Sequence, residues 1–330
     1  MGLLLGLGML GMILDGRTAM QGAAEGVELC LMAVIPALLP FLCLSMALTD
    51  RLWGRENRIL KGVGRLLRLP VGGEGLLIPA LLGGYPAGAA CIGRAFRQGQ
   101  LAKEDAEILL GFCSLPGPAF LFGIVSQAFP STWAVWALWL LVLLGTWTAS
   151  RILPGCRGTA TVSDSGRADV LGQAGAAMGR ICVLVILFRV GLRFLNKYLR
   201  LSGNGAVLAA GVLELTNGCC ALASVEPEAL RFLFAAGMLS MGGVCVALQT
   251  AQVASGLSMR YYCLGKAIQT VTAVFFGWIL VSHQWFLGVA ALAALIFLTK
   301  RKKKVAFFEK RVYTIPKDES GRKLCFSVRK

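Results

Sequence analysis

An apolar run that begins at Leu76 is broken by Gly83-Gly84-Tyr85-Pro86 and resumes at Ala87-Gly88-Ala89. No other stretch limits the fold as tightly. Residues 76–82 read as a buried helix. Gly83 and Gly84 can leave the helical region without steric cost. Pro86 has no amide proton and suits the first turn of a new helix. Two half-helices meeting at a polar tip are therefore expected. Inside a bilayer such bare backbone is tolerated only where protein or a water-filled cavity covers it. The stretch is either a re-entrant hairpin that lines a site or a kinked helix packed for structural reasons.

The bilayer setting follows from composition and from run length. The chain is 56% hydrophobic and 15% charged, where a soluble domain averages about 25% charged. Long apolar runs at 26–48, 132–152, 178–199, 229–254, 263–281 and 285–299 read as spans, so the fold class is an all-α polytopic membrane protein. Residues 3–14 are apolar but short. They are either a signal peptide or a retained first membrane helix, and the lack of a small-residue cleavage site favours the helix. The net charge of +16 is gathered into clusters. Clustered basic residues beside spans suit cytoplasmic loops and anionic lipid, and no nucleic-acid module accompanies them. The 11 cysteines contain no CxxC pair, and His283 is the single histidine. This argues against a disulfide framework or a zinc site. No cofactor is expected, and no catalytic constellation is present, so the chain does not read as an enzyme.

Along the chain, Pro36 and Pro40 should kink the first long span. Arg51, Arg55, Arg58, Lys61, Arg65 and Arg68 alternate at helical spacing with Leu52, Trp53, Ile59, Leu60, Val63, Leu66 and Leu67. The spacing predicts an amphipathic helix on the cytoplasmic interface in preference to a solvated basic loop. Glu104, Asp105 and Glu107 should start a helix. That helix breaks at residues 111–118, because Leu115 and Gly117 each precede a proline. Trp133, Trp136 and Trp139 suit an interfacial belt. The Gly/Ser/Thr-rich residues 154–176 form a linker. Arg189, Arg193 and Lys197 share one face of the next span. A further break is expected at Asn217-Gly218. Lys300 to Lys304 begin a polybasic tail, a cytoplasmic anchor signal.

Gly111-x-x-Ser114-x-x-Gly117 matches Gly237-x-x-Ser240-x-x-Gly243. Each triplet follows a broken segment, and each broken segment follows a span. If both broken segments are re-entrant, the basic loop at 51–74, the 94–103 turn, the linker and the tail all fall inside, in keeping with the positive-inside rule. Lys197 and Arg200 are the exceptions. Three crossings then separate the repeats and make them inverted, an arrangement found in transporters. The expected organisation is an N-terminal helix and turn (1–25), a first repeat (26–153), a linker (154–176), a second repeat (177–282), a last span (283–299) and a basic cytoplasmic tail (300–330).

Glu214 is the carboxylate deepest in an apolar segment, where a charge costs roughly 2.5–3.5 kcal/mol. It reads either as a ligand- or proton-coupling group, or as a structural acid paired with Arg189 or Arg193 or bonded to backbone. The candidate ligand-binding residues are Gly84, Tyr85, Pro86, Gly88, Ser114, Pro118, Glu214, Thr216, Asn217, Gly218, Ser240 and Gln249. They offer hydrogen-bonding groups and half-helix ends, which suit a small polar solute.

Val34 to Phe41 (V-I-P-A-L-L-P-F), Gly84 to Ala89 (G-Y-P-A-G-A), Lys103 to Glu107, Pro118 to Gly123 and Glu214-Leu-Thr-Asn-Gly together resemble the bacterial sporulation integral membrane protein family called YlbJ. That family is associated with the wider nucleoside-recognition Gate-domain group. The resemblance covers residues 26–255. It implies a multi-pass protein of the bacterial cell membrane, needed for spore cortex formation, with hairpin repeats like those of concentrative nucleoside transporters. Cys113-Ser114-Leu115-Pro116-Gly117-Pro118 stands where the family tends to carry an Asn/Ser-rich run before the proline. Two functions follow as expectations. One is a sporulation membrane protein whose transporter-like core binds or moves a small polar solute. The other is a non-transporting scaffold that recruits sporulation partners through its basic surface.

Overall fold

The computed structural model describes residues 2–52, 58–160 and 170–297. It divides into two units, residues 1–282 and 283–330. Of the second unit the described part is the apolar helix Trp285–Phe297. The basic tail, Trp53 and Arg55 of the predicted interfacial helix, and linker residues 161–169 lie outside the described residues.

The chain is an all-α polytopic membrane protein. Among the described residues five helices are long and apolar enough to cross a membrane: Gly16–Leu48, Thr132–Ile152, Leu171–Leu199, Glu228–Val253 and Arg260–Val281. Large apolar side chains on these helices point outward, among them Trp133, Trp136, Leu140, Val271 and Trp278. Such surface is stable only against lipid or another apolar partner.

The first unit opens with α1 (Gly2–Leu14) and α2 (Gly16–Leu29), which continues through one π turn into α3 (Ile35–Leu52). The first long helix thus starts at Gly16, ten residues before the sequence reading placed it. Asp15 caps it by accepting from Thr18 N at 3.3 Å. The π turn at Cys30–Val34 widens the backbone immediately before Pro36, where the ring would otherwise meet the preceding turn. Of the predicted amphipathic helix, Arg51 and Leu52 instead end α3, and Arg58–Leu67 form α4, with Gly64 and Leu67 buried and Ile59 and Leu66 exposed.

Next come two short helices, α5 (Leu77–Leu81) and α6 (Ala87–Arg97), which meet at residues 82–86. Then α7 (Lys103–Leu110) and α8 (Pro118–Gly123) flank the expected break, and α9 (Thr132–Ile152) follows. The second half repeats this order. It has a long helix α10 (Val170–Leu199), two short ones, α11 (Gly203–Leu213) and α12 (Leu215–Ala221), a broken pair α13 (Glu228–Met241) and α14 (Gly243–Val253), and α15 (Arg260–Val281).

Two boundaries differ from expectation. The break in the second short pair falls at Glu214, in extended conformation, and not at Asn217-Gly218. Asn217 and Gly218 are helical because Gly218 serves close packing instead: a Cβ there would lie 2.2 Å from Gly211 Cα. The residues 229–254 form two helices, not one. Gly242 and Gly243 both take positive φ and interrupt them.

Arg189, Arg193 and Lys197 do share a face, and that face meets α2. Glu25 pairs with Arg189 at 3.0 Å and with Arg193 at 2.8 Å, and Lys197 pairs with Asp15. The proposed pairing of Arg189 or Arg193 with Glu214 is therefore replaced. The two helices approach closely because Cβ atoms at Gly22 and Gly26 would sit 2.9 Å from Val190 Cα and 2.8 Å from Ile186 Cα. Small residues four apart let membrane helices touch backbone to backbone. Gly26→Leu should therefore cost about 1–3 kcal/mol by overpacking, read as a lowered thermal midpoint in detergent. An unchanged midpoint would mean that α2 and α10 do not pack this way.

Polar contacts gather at two opposite ends. At one, Arg68 donates to the Ser150 carbonyl (3.3 Å), Arg151 to the Leu66 carbonyl (2.7 Å), and Asp105 accepts from the Arg157 and Gly158 amides (2.9 and 2.7 Å). At the other, Arg231 donates to the Ala128 carbonyl (3.0 Å) and Asn204 to the Glu226 carbonyl (3.4 Å). The buried Asp105 thus holds the start of the linker. Asp105→Ala leaves two amides without their acceptor, at about 1–3 kcal/mol each. Proteolysis at residues 154–160 should then accelerate by roughly tenfold or more, and an unchanged cleavage rate would remove this role.

Candidate functional site

The two broken short pairs make matching contacts. The tip of the α5–α6 hairpin lies on the α7–α8 break. Gly84 has φ +71°, and a Cβ there would lie 2.8 Å from Gly117 N; a Cβ at Gly88 would lie 2.0 Å from Cys113 O. The tip of the α11–α12 hairpin lies on the α13–α14 break. A Cβ at Gly243 would lie 2.9 Å from Gly211 O and 3.1 Å from Val212 O. So Gly117 and Gly243, equivalent in the Gly-Ser-Gly triplets, each admit a hairpin at van der Waals distance. The equivalent serines match too. Ser114 and Ser240 are each 1% exposed, and neither hydroxyl has a hydrogen-bond partner among the described residues.

Tyr85 connects the two halves. From the first hairpin tip its hydroxyl donates to Leu239 O at 2.9 Å, just before the α13–α14 break. The same hydroxyl accepts from Lys266 Nζ at 2.8 Å. Lys266 also donates to Ser114 O and to Gln269 Oε1 (3.1 Å), and Gln269 Nε2 donates to Gly111 O (2.9 Å). A lysine and a glutamine on α15 thus bind the carbonyls left free where α7 ends.

Glu214 is 2% exposed and forms the second tip. Its two carboxylate oxygens accept from Thr216 N at 3.0 Å and Asn217 N at 2.7 Å, which caps α12. Asn217 Oδ1 accepts from Arg189 at 2.7 Å. Between the tips lies a cavity of about 30 Å³, lined by Tyr85, Pro116, Gly117, Phe120, Glu214, Thr216 and Gln249, with Val34 and Leu38 of the first long helix and Ile181 and Val185 of α10. Since one water needs about 10–15 Å³, it has room for two or three waters.

Of the candidate residues, Tyr85, Glu214, Thr216 and Gln249 line this cavity. Gly84, Gly88 and Gly218 supply close backbone approaches around it. Pro86 precedes α6 and Pro118 starts α8, and neither lines the cavity. Ser114 and Ser240 are buried in the two breaks, and Asn217 is held by Arg189. Sequence reasoning missed Lys266 and Gln269. The signal was present: Lys266 is a lone ammonium within an apolar 22-residue helix, and the cost argument that singles out Glu214 applies to it equally.

These features define a polytopic membrane protein built from two like halves, each a long helix, a broken short pair, a broken helix pair and a closing helix, with the two hairpin tips meeting at one small, mostly apolar cavity. In sequence the chain is similar to the sporulation integral membrane protein YlbJ of Bacillus subtilis (strain 168), with 31% identity over 121 residues. The match takes in 34% of this chain and 28% of that protein, so well under half of the relative's length is spanned. No protein-family model matches the chain, and no solved structure does.

Proposed function

We propose that this protein acts in the membrane of a sporulating bacterium, in support of spore cortex formation, through a transporter-like core that binds a small polar solute between its two broken segments. The observation that carries this reading is the meeting of both hairpin tips at one buried cavity with Glu214 in its wall. Broken segments in corresponding positions of two halves point to a binding site in transporters. Both ends of the first hairpin lie near the end marked by Arg68 and Asp105, and both ends of the second lie near Ala128 and Glu226. That supports hairpins that enter and leave on one side each, and so inverted repeats. In this reading the basic end faces the cytoplasm.

The test is side-specific thiol labelling in sealed vesicles, after replacement of the exposed Cys220 and Cys263 and of Cys325. Cys156 needs no change, because burial, and next the Asp105 charge, push its thiol up to about 12. Leu66→Cys and Ala102→Cys should label from the cytoplasmic side, and Ser202→Cys and Ser224→Cys from the other. Labelling of 66 and 102 from opposite sides would show that the first hairpin crosses, and the reading would fall. Nucleosides and other small polar solutes are then screened for a saturable rise in thermal midpoint. If none has any effect, the scaffold function takes its place.

A further inference from the structure

The hydrogen bonds around Lys266 suit its ammonium form. Nζ meets three oxygens: Tyr85 OH, Ser114 O and Gln269 Oε1. The two carbonyl-type oxygens can only accept. The Tyr85 hydroxyl spends its own hydrogen on Leu239 O, so it too must accept. Three acceptors need three hydrogens, which an ammonium has and a neutral amine lacks. A neutral amine would turn a lone pair toward one of these oxygens.

Among the described residues no carboxylate pairs with this group. Lys266 is 4% exposed and forms no ion pair among the described residues. It is held by the three oxygens and by the faces of Tyr85, at 4.6 Å, and Tyr262, at 5.9 Å. Tyr85 and Tyr262 are themselves titratable, and the elements around Lys266 also carry Cys113 on the α7–α8 break, Cys91 on α6, Cys219 on α12 and Cys263 on α15. Charged groups on the neighbouring helices lie toward their ends: Glu107 is bonded to Ser258 N, Asp105 to the linker, Arg151 to Leu66 O and Arg231 to Glu226, and Lys103, Glu104, Glu228 and Arg260 stand in first turns.

The bonds of this one amine add polar ties to the close backbone packing of the first hairpin tip on the α7–α8 break. They tie the first hairpin tip, through Tyr85, to the α7–α8 break, through Ser114, while Tyr85 reaches the α13–α14 break. Loss of one proton to water would cancel at least one of these bonds and the cation–π attraction together.

We propose that Lys266 is a proton-binding site of the core, whose ammonium latches the first hairpin tip onto the α7–α8 break and whose deprotonation accompanies their parting. The proposal rests on the transporter-like reading and adds to it the ion that closure would bind. The proton leaves Nζ for water admitted as the segments separate, and Lys266 remains as the neutral amine. Lys266 is a positioning residue here and touches no solute.

Hydrogen exchange of the full-length protein in nanodiscs tests this directly, with rates corrected for the intrinsic effect of pH. Segments 82–88 and 111–117 should open at least tenfold more at pH 9.5 than at pH 7 in the wild type. In Lys266→Met they should already be open at pH 7, with no further pH dependence. Tyr85→Phe keeps the ring and removes one acceptor, and should move the opening to lower pH; it serves if Lys266→Met does not fold. Equal wild-type protection at both pH values, or a Tyr85→Phe profile identical to the wild type, would overturn the latch. The two readings fail separately. Solute stabilisation without pH-linked opening removes the latch alone, and pH-linked opening without any responding solute removes the solute site.

Discussion

Gly265→Ala is expected to deplete folded protein almost completely, the largest stability effect of a single added methyl group among the described glycines. A Cβ at Gly265 would lie 1.9 Å from Gly111 O, 2.6 Å from Gly111 C and 2.7 Å from Gly111 Cα. All three are backbone atoms, so no side chain can turn aside. The backbone at the start of the α7–α8 break would have to retreat, and Gln269 would lose its bond to Gly111 O. Lys266, the next residue, would be drawn away from Ser114. Overpacking of a core side chain costs about 1–3 kcal/mol, and a clash with fixed backbone at the centre of the hydrogen-bond network should reach or pass the top of that range. The control is internal. Gly237 is the repeat equivalent of Gly111 and also faces α15, but a Cβ there would meet Val274 Cγ2 at 3.4 Å. Gly237→Ala should therefore be close to neutral. Yield of monodisperse protein and thermal midpoint in detergent measure both. If Gly265→Ala and Gly237→Ala behave alike, the crossing of α15 over Gly111 is not as described.

That pair of glycines also shows what sequence could reveal. The Gly-Ser-Gly triplets were legible because breaks within apolar helices need small residues, and a repeated order of elements makes a weak local pattern specific. The hairpin tip at Gly84-Tyr85-Pro86 was legible from the backbone preferences of those residues alone. Glu214 was legible from cost. Its position in the break was not, because Asn217-Gly218 is the stronger local breaker. What decides is tertiary: Gly218 must pass Gly211, and the Glu214 carboxylate must cap the helix that results. Gly242-Gly243 carried the same signal as Gly83-Gly84 but lacked a following proline, and the apolar run concealed it. The pairing of Arg189 with Glu25 spans 164 residues and leaves no trace in periodicity. Lys266 was overlooked for a different reason. Basic residues in a membrane protein are first read as topology signals at the ends of spans, and one that is buried mid-helix belongs to the site instead.

Glu214 carries two roles that different substitutions separate. As a cap, it satisfies the Thr216 and Asn217 amides with one oxygen each. As a charge, it stands in the wall of the cavity between the tips. Glu214→Ala removes both and leaves two buried amides unmet, at about 1–3 kcal/mol each. Its thermal midpoint should fall sharply, and α12, seven residues long, should exchange its amide protons faster. Glu214→Gln keeps one oxygen acceptor and the volume of the side chain, and loses the charge. Its amide group turns a donor toward one of the two N–H groups, so one cap bond goes and the cost is about 1–2 kcal/mol. The variant should remain folded and inserted. Heat-resistant spore counts, on complementation of a strain that lacks this protein, then report the charge alone. In the transporter-like reading Glu214→Gln falls to the level of the empty strain, a loss far beyond what its small change in stability would cause. Full complementation by Glu214→Gln, with Glu214→Ala unstable, would instead make the carboxylate a helix cap and nothing more. Coupling would then have to be sought among the other groups of the core, and Lys266 is the remaining buried charge at the breaks.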